Sequence, residues 1–190
     1  MISTILKEET KRLHAETEKS LNAKRIFSAD FRENEYVEIL RILYRSHQVL
    51  ENQLDSISDP SLAAFYRSHY SPLHLLIKKD LAHHHSSIES DTILQTIDTN
   101  DLNALGILYV LKGSSLGGKH IYKQLRDNRG DEFSLQFYKA SSSQTLEEWK
   151  AFCESMEDLD LSPEETDQVV DGAKLAFTTF IQASAEIRGE

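Results

Sequence analysis

Two patterns in this chain could carry chemistry, and the first is a histidine followed by a carboxylate four residues later. His14 and Glu18 fall on one face of a predicted helix, with their side chains within reach of each other. A carboxylate that accepts the Nδ1 hydrogen of a histidine fixes its tautomer and leaves Nε2 free to ligate a metal. Taken alone, this spacing is more typical of a surface pair that stabilises a helix.

The second pattern is a group of glycines inside what otherwise reads as one long helix. Gly113, Gly117 and Gly118 occur close together, and each costs roughly 0.5 to 1 kcal/mol relative to alanine in a helix interior. This cost indicates that something approaches the backbone more closely than a Cβ would allow. Gly113 and Gly117 share a face, and the pair at 117 and 118 predicts a kink. Tight packing of another helix on these small residues is the alternative explanation.

Apolar residues recur at helical spacing along most of the chain, which predicts an all-α fold. The predicted helices cover residues 2–21, 36–57, 61–70, 72–81, 101–127, 144–157 and 163–187. Ser71 and Pro72 are predicted to begin the fourth helix, Asp101 to cap the glycine-bearing helix, and residues 133–143 to be extended or irregular. With no internal repeat or long linker, residues 1–190 are expected to form one helical bundle domain.

Composition excludes several classes of protein. The formal net charge of −10 argues against general binding to nucleic acid or anionic membranes. No apolar run approaches the roughly 20 residues of a membrane span, and we find no signal peptide, so a cytoplasmic protein is expected. The single cysteine, Cys153, excludes an internal disulfide.

The other candidate ligands are weaker. His47 and Glu51 repeat the four-residue spacing, but no glycine-rich element matches them. The histidines at 83–85 point in three directions on a helix, about 100° apart, so they cannot converge on one metal, and a solvated patch is favoured. Cys153 is predicted to lie on a helix and to be inert if buried.

Three stretches, in order along the chain, resemble the heme oxygenase family. Residues 6–18 resemble the proximal helix, in which a histidine ligates heme iron and a glutamate one turn later holds it. Residues 108–118 resemble the glycine-rich distal helix, in the form found in the bacterial branch associated with bacteriophytochromes. Residues 161–163 and 173–177 resemble the final helix, where a phenylalanine touches the heme edge.

The resemblance implies a heme oxygenase-type bundle with a kinked distal helix and a set of site residues. Heme b would be both cofactor and substrate, with O2 as co-substrate, and the products would be biliverdin, CO and free iron. His14 would ligate the iron, while Gly113, Ser114 and Gly117 would lie over the other face as catalytic residues. The remaining heme contacts would be Lys7, Lys11, Glu18, Leu116, Gly118 and Phe177.

The chain departs from the animal enzymes at two positions. Ser114 stands where they have an aspartate, and a hydroxyl can order water but stays neutral near pH 7. Cys153 falls where they carry an arginine that anchors a heme propionate. Lys7 and Lys11 remain as the predicted propionate partners.

The reaction implied by the resemblance needs an external electron donor, either a reductase, a ferredoxin or a flavodoxin. Basic residues that could receive an acidic donor lie on the proximal helix and at the far end of the distal helix: Lys7, Lys11, Arg12 and Lys19, with Lys119, Lys123 and Arg126. The bacterial branch also suggests coupling to a bilin-using photoreceptor.

Two alternatives to a heme oxygenase remain open from the sequence. One is a protein of the same fold that binds heme without cleaving it. The other is a helical enzyme of different chemistry. A ferritin-like di-iron site is excluded because no Glu-x-x-His occurs in the chain, whereas Cys153 leaves open a nucleophile of the kind used by thiaminase-type relatives of the fold.

Overall fold

The computed structural model describes residues 1–86, 99–130 and 133–189, and within these ranges it contains helices and no strand. The α-helices are α1 (Ile2–Ser20), α2 (Glu33–Asp55), α3 (Pro60–His69), α4 (His74–His83), α5 (Asp101–Ser114), α6 (Gly118–Arg129), α7 (Gln136–Ser141), α8 (Leu146–Glu157) and α9 (Pro163–Arg188). Two short 3-10 helices, Ala23–Phe27 and Ser115–Gly117, connect α1 to α2 and α5 to α6. None of these described helices is long and apolar enough to cross a membrane. The predicted all-α fold is confirmed.

The final helix, α9, is the element on which the site-bearing helices rest, since α1, α2 and α5 all pack against it. It begins where the sequence predicts. The Ser162 hydroxyl accepts a hydrogen bond from the Glu165 N–H at 3.2 Å, and the Glu165 carboxylate accepts one from the Ser162 N–H at 2.8 Å. This reciprocal pair satisfies two of the backbone donors that a helix start leaves open.

Two glycines allow α5 and α9 to touch backbone to backbone. A Cβ on Gly106 would lie 1.9 Å from the Val169 carbonyl oxygen, and one on Gly172 would lie 1.9 Å from the Asn103 carbonyl oxygen. Neither position can therefore carry a side chain without the helices separating. Neither glycine was singled out by the sequence analysis.

The direction of α5 along α9 determines where the glycine-rich segment lies. The Asn103 side chain donates to the Gln168 carbonyl at 2.8 Å, and further along α5 the Gly106 backbone meets Ala173. The Asn100 side chain, which caps α5, also donates to the Gln168 side chain at 2.8 Å, so α5 starts beside Gln168 and runs along α9 in the same sense. The glycine-rich segment that follows is therefore level with the part of α9 beyond Ala173, which includes Phe177.

The predicted kink in the distal element is confirmed. The α-helical pattern of α5 stops at Ser114, continues as the 3-10 segment Ser115–Gly117, and resumes at Gly118. A Cβ on Gly118 would lie 2.6 Å from the Cβ of Ser141 on α7. For this glycine, close helix packing accounts for the missing side chain.

The predicted start of α4 is wrong. Ser71 and Pro72 precede the helix, which begins at His74. The Glu51 carboxylate, from α2, accepts hydrogen bonds from the Leu73 N–H at 2.8 Å and the His74 N–H at 3.2 Å. A residue about twenty positions away thus takes the capping role that the local sequence assigns to a serine.

The predicted cap of α5 is also wrong, by one residue. The Asn100 side chain accepts a hydrogen bond from the Asn103 N–H at 2.8 Å. Asp101 instead accepts from the backbone N–H groups of Ser58 at 3.0 Å and Asp59 at 2.8 Å, and so fastens the turn before α3 to the start of α5. Asparagine and aspartate cap helices about equally well, so local sequence does not distinguish them.

The stretch 133–143 is not wholly extended or irregular, because it contains α7 (Gln136–Ser141). The buried Asp80 carboxylate of α4 accepts hydrogen bonds from the Gln136 N–H and the Phe137 N–H, each at 2.9 Å. This distant carboxylate stabilises the start of a helix too short to form alone.

Candidate functional site

His14 lies on α1 with a side chain that is 60% exposed, and Glu18 is nearly as open. The Nδ1 atom of His14 is 3.8 Å from Oε1 of Glu18, which is within ion-pair range and longer than a hydrogen bond. The structure thus brings the predicted pair together on one helix face. The imidazole has room on its open side for a further ligand.

Phe177 on α9 packs against the His14 ring. The two rings meet edge to face, with centroids 5.7 Å apart and planes at 73°. Thr17, one turn beyond His14, donates its hydroxyl hydrogen to the Phe177 carbonyl at 3.4 Å. Two contacts, one between rings and one to the backbone, therefore hold this part of α1 on α9. Contact of Phe177 with heme stays a prediction.

The start of α1 is held by a carboxylate from another helix. Glu157, the last residue of α8, accepts hydrogen bonds from the Ile2 N–H at 2.7 Å and from the Ser3 hydroxyl at 2.7 Å. A carboxylate at a helix N-terminus satisfies open N–H groups and interacts favourably with the helix dipole. The helix that carries His14 is thereby tied to α8.

The three distal glycines have different surroundings. A Cβ on Gly117 would meet no atom within 4 Å, so this position faces open space. A Cβ on Gly113 would lie 3.2 Å from Cη2 of Trp149. Gly118 is covered by α7, as described above. Only Gly117 combines a bare backbone with empty space above it.

Ser114 and Leu116 are exposed beside Gly117. The Ser114 hydroxyl donates to the Leu111 carbonyl at 2.7 Å, one turn back on its own helix. Its oxygen retains lone pairs that can accept a hydrogen bond from water or a ligand. Leu116 is 37% exposed, which places an apolar side chain at the edge of the open space.

Lys7 and Lys11 are exposed on α1, two turns and one turn before His14, respectively. Within the described part of the chain, neither lysine forms an ion pair, whereas the neighbouring Arg12 lies 3.5 Å from the Glu16 carboxylate. Both ammonium groups are thus available to an anionic ligand that reaches His14.

Trp149 on α8 lies beside the glycine-rich segment, and the sequence analysis did not single it out. Its indole lies over Gly113 and against Tyr109, with ring centroids 5.2 Å apart. Cys153, one turn later, is half-buried, and burial raises the pKa of its thiol. A neutral thiol is a poor nucleophile. The sequence did contain a signal for Trp149. It is the only tryptophan of the chain, and it lies one helical turn before Cys153, which stands where the animal enzymes carry an arginine.

His47 and Glu51 belong to a buried polar cluster away from His14. The Glu51 carboxylate lies 2.8 Å from His47 Nδ1 and 2.5 Å from His74 Nδ1, and it accepts the Tyr70 hydroxyl hydrogen at 2.8 Å. Burial by itself would raise the pKa of Glu51, but hydrogen bonds from His47, Leu73 and His74 lower it to about 2. Every lone pair of this carboxylate is used inside the protein, so the cluster is structural.

The solvated patch predicted for the histidine run is wrong for one of its members. The side chain of His84 is 2% exposed, and its Nδ1 lies 2.6 Å from the Glu33 carboxylate. Its ring packs edge-on against Tyr36 and tilted against Phe133, at centroid distances of 5.4 and 4.4 Å. The helix ends at His83, which turns the next ring inwards.

These surroundings fit a flat ligand bound through iron. An accessible imidazole on α1 can ligate the metal, and the bare backbone at Gly117 offers no group that competes for it. Any other residue at position 117 would place a Cβ in the open space there. Glycine leaves that space empty, so a flat macrocycle can lie against the backbone of the distal element. Among the residues that the structure describes, no group of three or more His, Cys, Asp and Glu side chains could hold a metal ion without such a ligand.

Comparison with known proteins gives an independent result. Residues 1–186 match the model of the heme oxygenase family. Two solved structures share the fold. One is the heme oxygenase of Neisseria meningitidis with NO and CO bound, which is 19% identical and superposes with a TM-score of 0.75 over 100% of this chain and 92% of that chain.

The other is heme oxygenase-1 of the cyanobacterium Synechocystis in complex with heme, which is 18% identical, with a TM-score of 0.71 over 99% of this chain and 92% of that chain. No curated protein matches the sequence significantly. At such identities the two structures show a common fold alone, but the family match runs through α1, the glycine-rich segment and α9. The chain therefore belongs to the heme oxygenase family.

Proposed function

We propose that this protein cleaves heme, which His14 would bind through the iron and residues 113–118 would cover. As a member of the heme oxygenase family, the protein is a heme-degrading oxidoreductase, with heme as cofactor and substrate. Bound heme supplies both the iron that binds O2 and the macrocycle that is opened to biliverdin with release of CO and iron. The observation that carries the proposal is the open space at Gly117, together with the exposed His14 imidazole that packs against Phe177.

Glu18 holds His14 in the orientation that ligation requires. Both side chains are exposed, so rotation can shorten the 3.8 Å between Nδ1 and Oε1 to a hydrogen bond. That bond places the hydrogen on Nδ1, directs Nε2 outwards and raises its basicity. Phe177 limits tilting of the ring from the other side.

The distal segment would leave the iron accessible to O2 and would supply a polar group beside the bound heme. Gly113 and Gly117 carry no side chain that could ligate iron. The Ser114 hydroxyl, which donates to the Leu111 carbonyl, accepts a hydrogen bond from a water molecule and so positions a proton source. The hydroxyl stays neutral, so this water carries the proton that an acidic side chain would otherwise hold.

Lys7 and Lys11 bind the two carboxylates of heme. They are exposed and free of ion pairs with the described residues, and they offset the formal charge of −10 that would otherwise oppose an anionic ligand. Cys153 cannot replace the arginine of the animal enzymes, since its neutral thiol is at best a weak donor.

Electrons come from a separate reductase, ferredoxin or flavodoxin that docks on the basic face of α1, formed by Lys11, Arg12 and Lys19. Residues 1–190 act as one domain in this scheme. We place the reaction in the cytoplasm, in keeping with a single unpaired cysteine. A photoreceptor that binds bilins is the proposed user of the biliverdin.

The test is a heme titration followed by turnover. Hemin is added to the protein, a reductant is supplied in air, and the Soret band and the long-wavelength absorption of biliverdin are recorded. The wild-type Soret band is expected to decay as biliverdin appears. His14→Ala should lose the strong-field axial spectrum, and imidazole should restore it by filling the cavity left by the ring.

His120→Ala is the matched control, because it removes an exposed histidine of α6 that stacks on Phe27 and is not among the proposed heme contacts. A His14→Ala spectrum identical to wild type without imidazole would contradict the proposed ligand. A stable Soret band with no biliverdin would favour the alternative of a heme-binding protein without turnover.

A further inference from the structure

We infer that Trp149 forms a wall of the heme site at Gly113 and determines which edge of the macrocycle is opened. This inference rests on the heme site proposed above. Its basis is the asymmetry of the two distal glycines: the indole of Trp149 lies in contact with Gly113, whereas Gly117 faces open space. A flat ligand that slides against the distal segment from the Gly117 side is stopped by the indole edge.

The indole is held in place by other aromatic rings. Its centroid lies 5.2 Å from that of Tyr109 and 5.6 Å from that of Phe152, at tilts of 50° and 39°. Phe152 is completely buried. Aromatic pairs at such distances contribute packing beyond simple burial, so the indole is a fixed surface and not a freely rotating side chain.

The backbone that carries Trp149 is fastened directly to the distal element. Just before α8, the Gln144 side chain donates to the Lys112 carbonyl at 3.1 Å, at the residue that precedes Gly113. Thr145 then caps α8 by accepting from the Glu148 N–H at 3.1 Å. A shift of α8 away from Gly113 would break the hydrogen bond from Gln144 to Lys112, so Trp149 and Gly113 are expected to move together.

A wall beside Gly113 would affect which meso carbon of heme is oxidised, because the macrocycle is nearly symmetric. The macrocycle has four similar meso carbons, and ligation of the iron by His14 would not by itself choose among them, while Lys7 and Lys11 would hold only its carboxylate edge through flexible side chains. The meso carbon that faces the distal segment beside Ser114 and Gly117 would be the one that is oxidised. An obstacle on one side of that segment favours some in-plane orientations over others, which binding through iron alone cannot do.

The contact can be observed without turnover. Trp149 is the only tryptophan, so protein labelled with nitrogen-15 tryptophan shows a single indole signal. Gallium protoporphyrin is diamagnetic and cannot be reduced at the metal, so its ring current shifts nuclei at its edge without initiating reaction. We expect a large shift of the indole signal on binding. An unchanged indole signal with the porphyrin bound would overturn the inference.

The consequence for the reaction is measured from the biliverdin isomers. Trp149→Ala removes the wall, and the minor isomers are expected to increase about tenfold relative to the major one, which corresponds to about 1.4 kcal/mol. Trp149→Phe retains an aromatic ring and should stay near the wild-type ratio, which also guards against a folding defect in the alanine variant. Leu146→Ala, at an exposed position of the same helix, is the control and should leave the ratio unchanged.

Failure of this inference differs from failure of the proposed function. If wild-type protein yields biliverdin and the isomer ratio is the same in Trp149→Ala, the wall is disproved while the proposed heme site stands. If His14→Ala shows the same heme spectrum as wild type without imidazole, the proposed heme site itself is wrong. This result is known before any Trp149 variant is made.

Discussion

The imidazole of His14 meets the ring of Phe177 edge to face, with 5.7 Å between their centroids. This contact joins two helices that are far apart in sequence, and it leaves the side of the imidazole towards Glu18 open. A ring that is supported on one side and that can gain a hydrogen bond from a carboxylate on the other would have few orientations, which favours ligation over rotation. The carboxylate on the open side, Glu18, is the group whose role a substitution can test most directly.

We expect Glu18→Ala to weaken heme binding by roughly tenfold or more while keeping the His14 axial spectrum, because loss of an outer carboxylate lowers the affinity without removing the ligand. Heme titration by the Soret band measures this. Glu16→Ala is the control, since Glu16 pairs with Arg12 on another side of α1. An unchanged dissociation constant for Glu18→Ala would show that the carboxylate has no part in holding His14.

Gly117→Leu should retain the fold and lose heme cleavage. The backbone of Gly117 is right-handed helical, with φ −74° and ψ −16°, and its missing side chain would enter empty space. Replacing a glycine in such a conformation typically stabilises by roughly 0.4 to 1 kcal/mol. The melting temperature should hold or rise, while turnover falls because the leucine fills the space proposed for the ligand.

Gly118→Ala is the matched contrast for that experiment. Its Cβ would lie 2.6 Å from the Cβ of Ser141, so α6 and α7 must separate and the melting temperature should fall. If Gly117→Leu cleaved heme at the wild-type rate, the open space at this glycine would not be the distal face of the site.

The buried carboxylate of Glu51 makes stability depend on pH. Hydrogen bonds from His47, Leu73 and His74 outweigh burial and hold its pKa at about 2, below the ordinary 4.5. A folded-state pKa below the unfolded value stabilises the protein above pH 4.5, and this stabilisation is lost as the pH falls from there towards 2. Its size at neutral pH is on the order of 3 kcal/mol.

Urea unfolding of Glu51→Gln and wild type at several pH values checks this. The difference in unfolding free energy is expected to be roughly 3 kcal/mol at pH 7 and to shrink as the pH falls below about 4.5. Glu38→Gln is the control, because it breaks a partly exposed pair with Arg188 of the kind that contributes about 1 kcal/mol or less. A difference that did not vary with pH would mean that the charge of Glu51 does not stabilise the fold.

Arg12→Glu combined with Lys19→Glu, two exposed residues of α1 that are not proposed to contact heme, should slow turnover with an acidic protein donor, and more at low salt than at high salt, because salt screens the attraction. Ascorbate-driven turnover should change little. Lys78→Glu with Lys79→Glu is the matched control on α4, which carries two exposed lysines and no proposed site residue. Equal slowing with ascorbate would mean that the two residues of α1 hold heme and do not dock the donor.

Local sequence predicted the elements that depend on neighbouring residues. The apolar spacing of α1, α2 and α9 and the capping pair of Ser162 and Glu165 lie within a few positions along the chain, so the helices and the start of α9 followed from them. The kink at Gly117 was predicted for the same reason. His14 and Glu18 are one turn apart on a single helix, and that helix is enough to bring them together.

Tertiary structure alone decided the contacts between distant segments. Glu51 caps α4 and Asp80 caps α7, so two helix starts depend on carboxylates that no local pattern reveals. The packing of Gly106 against α9 has the same origin, since a glycine that admits another backbone looks like any other glycine in a helix. Local sequence specifies what a residue can do, whereas the partner that occupies the space around it is set by the packing of elements far away in the chain. For this reason, the open space at Gly117 and the indole over Gly113 could be distinguished only in three dimensions.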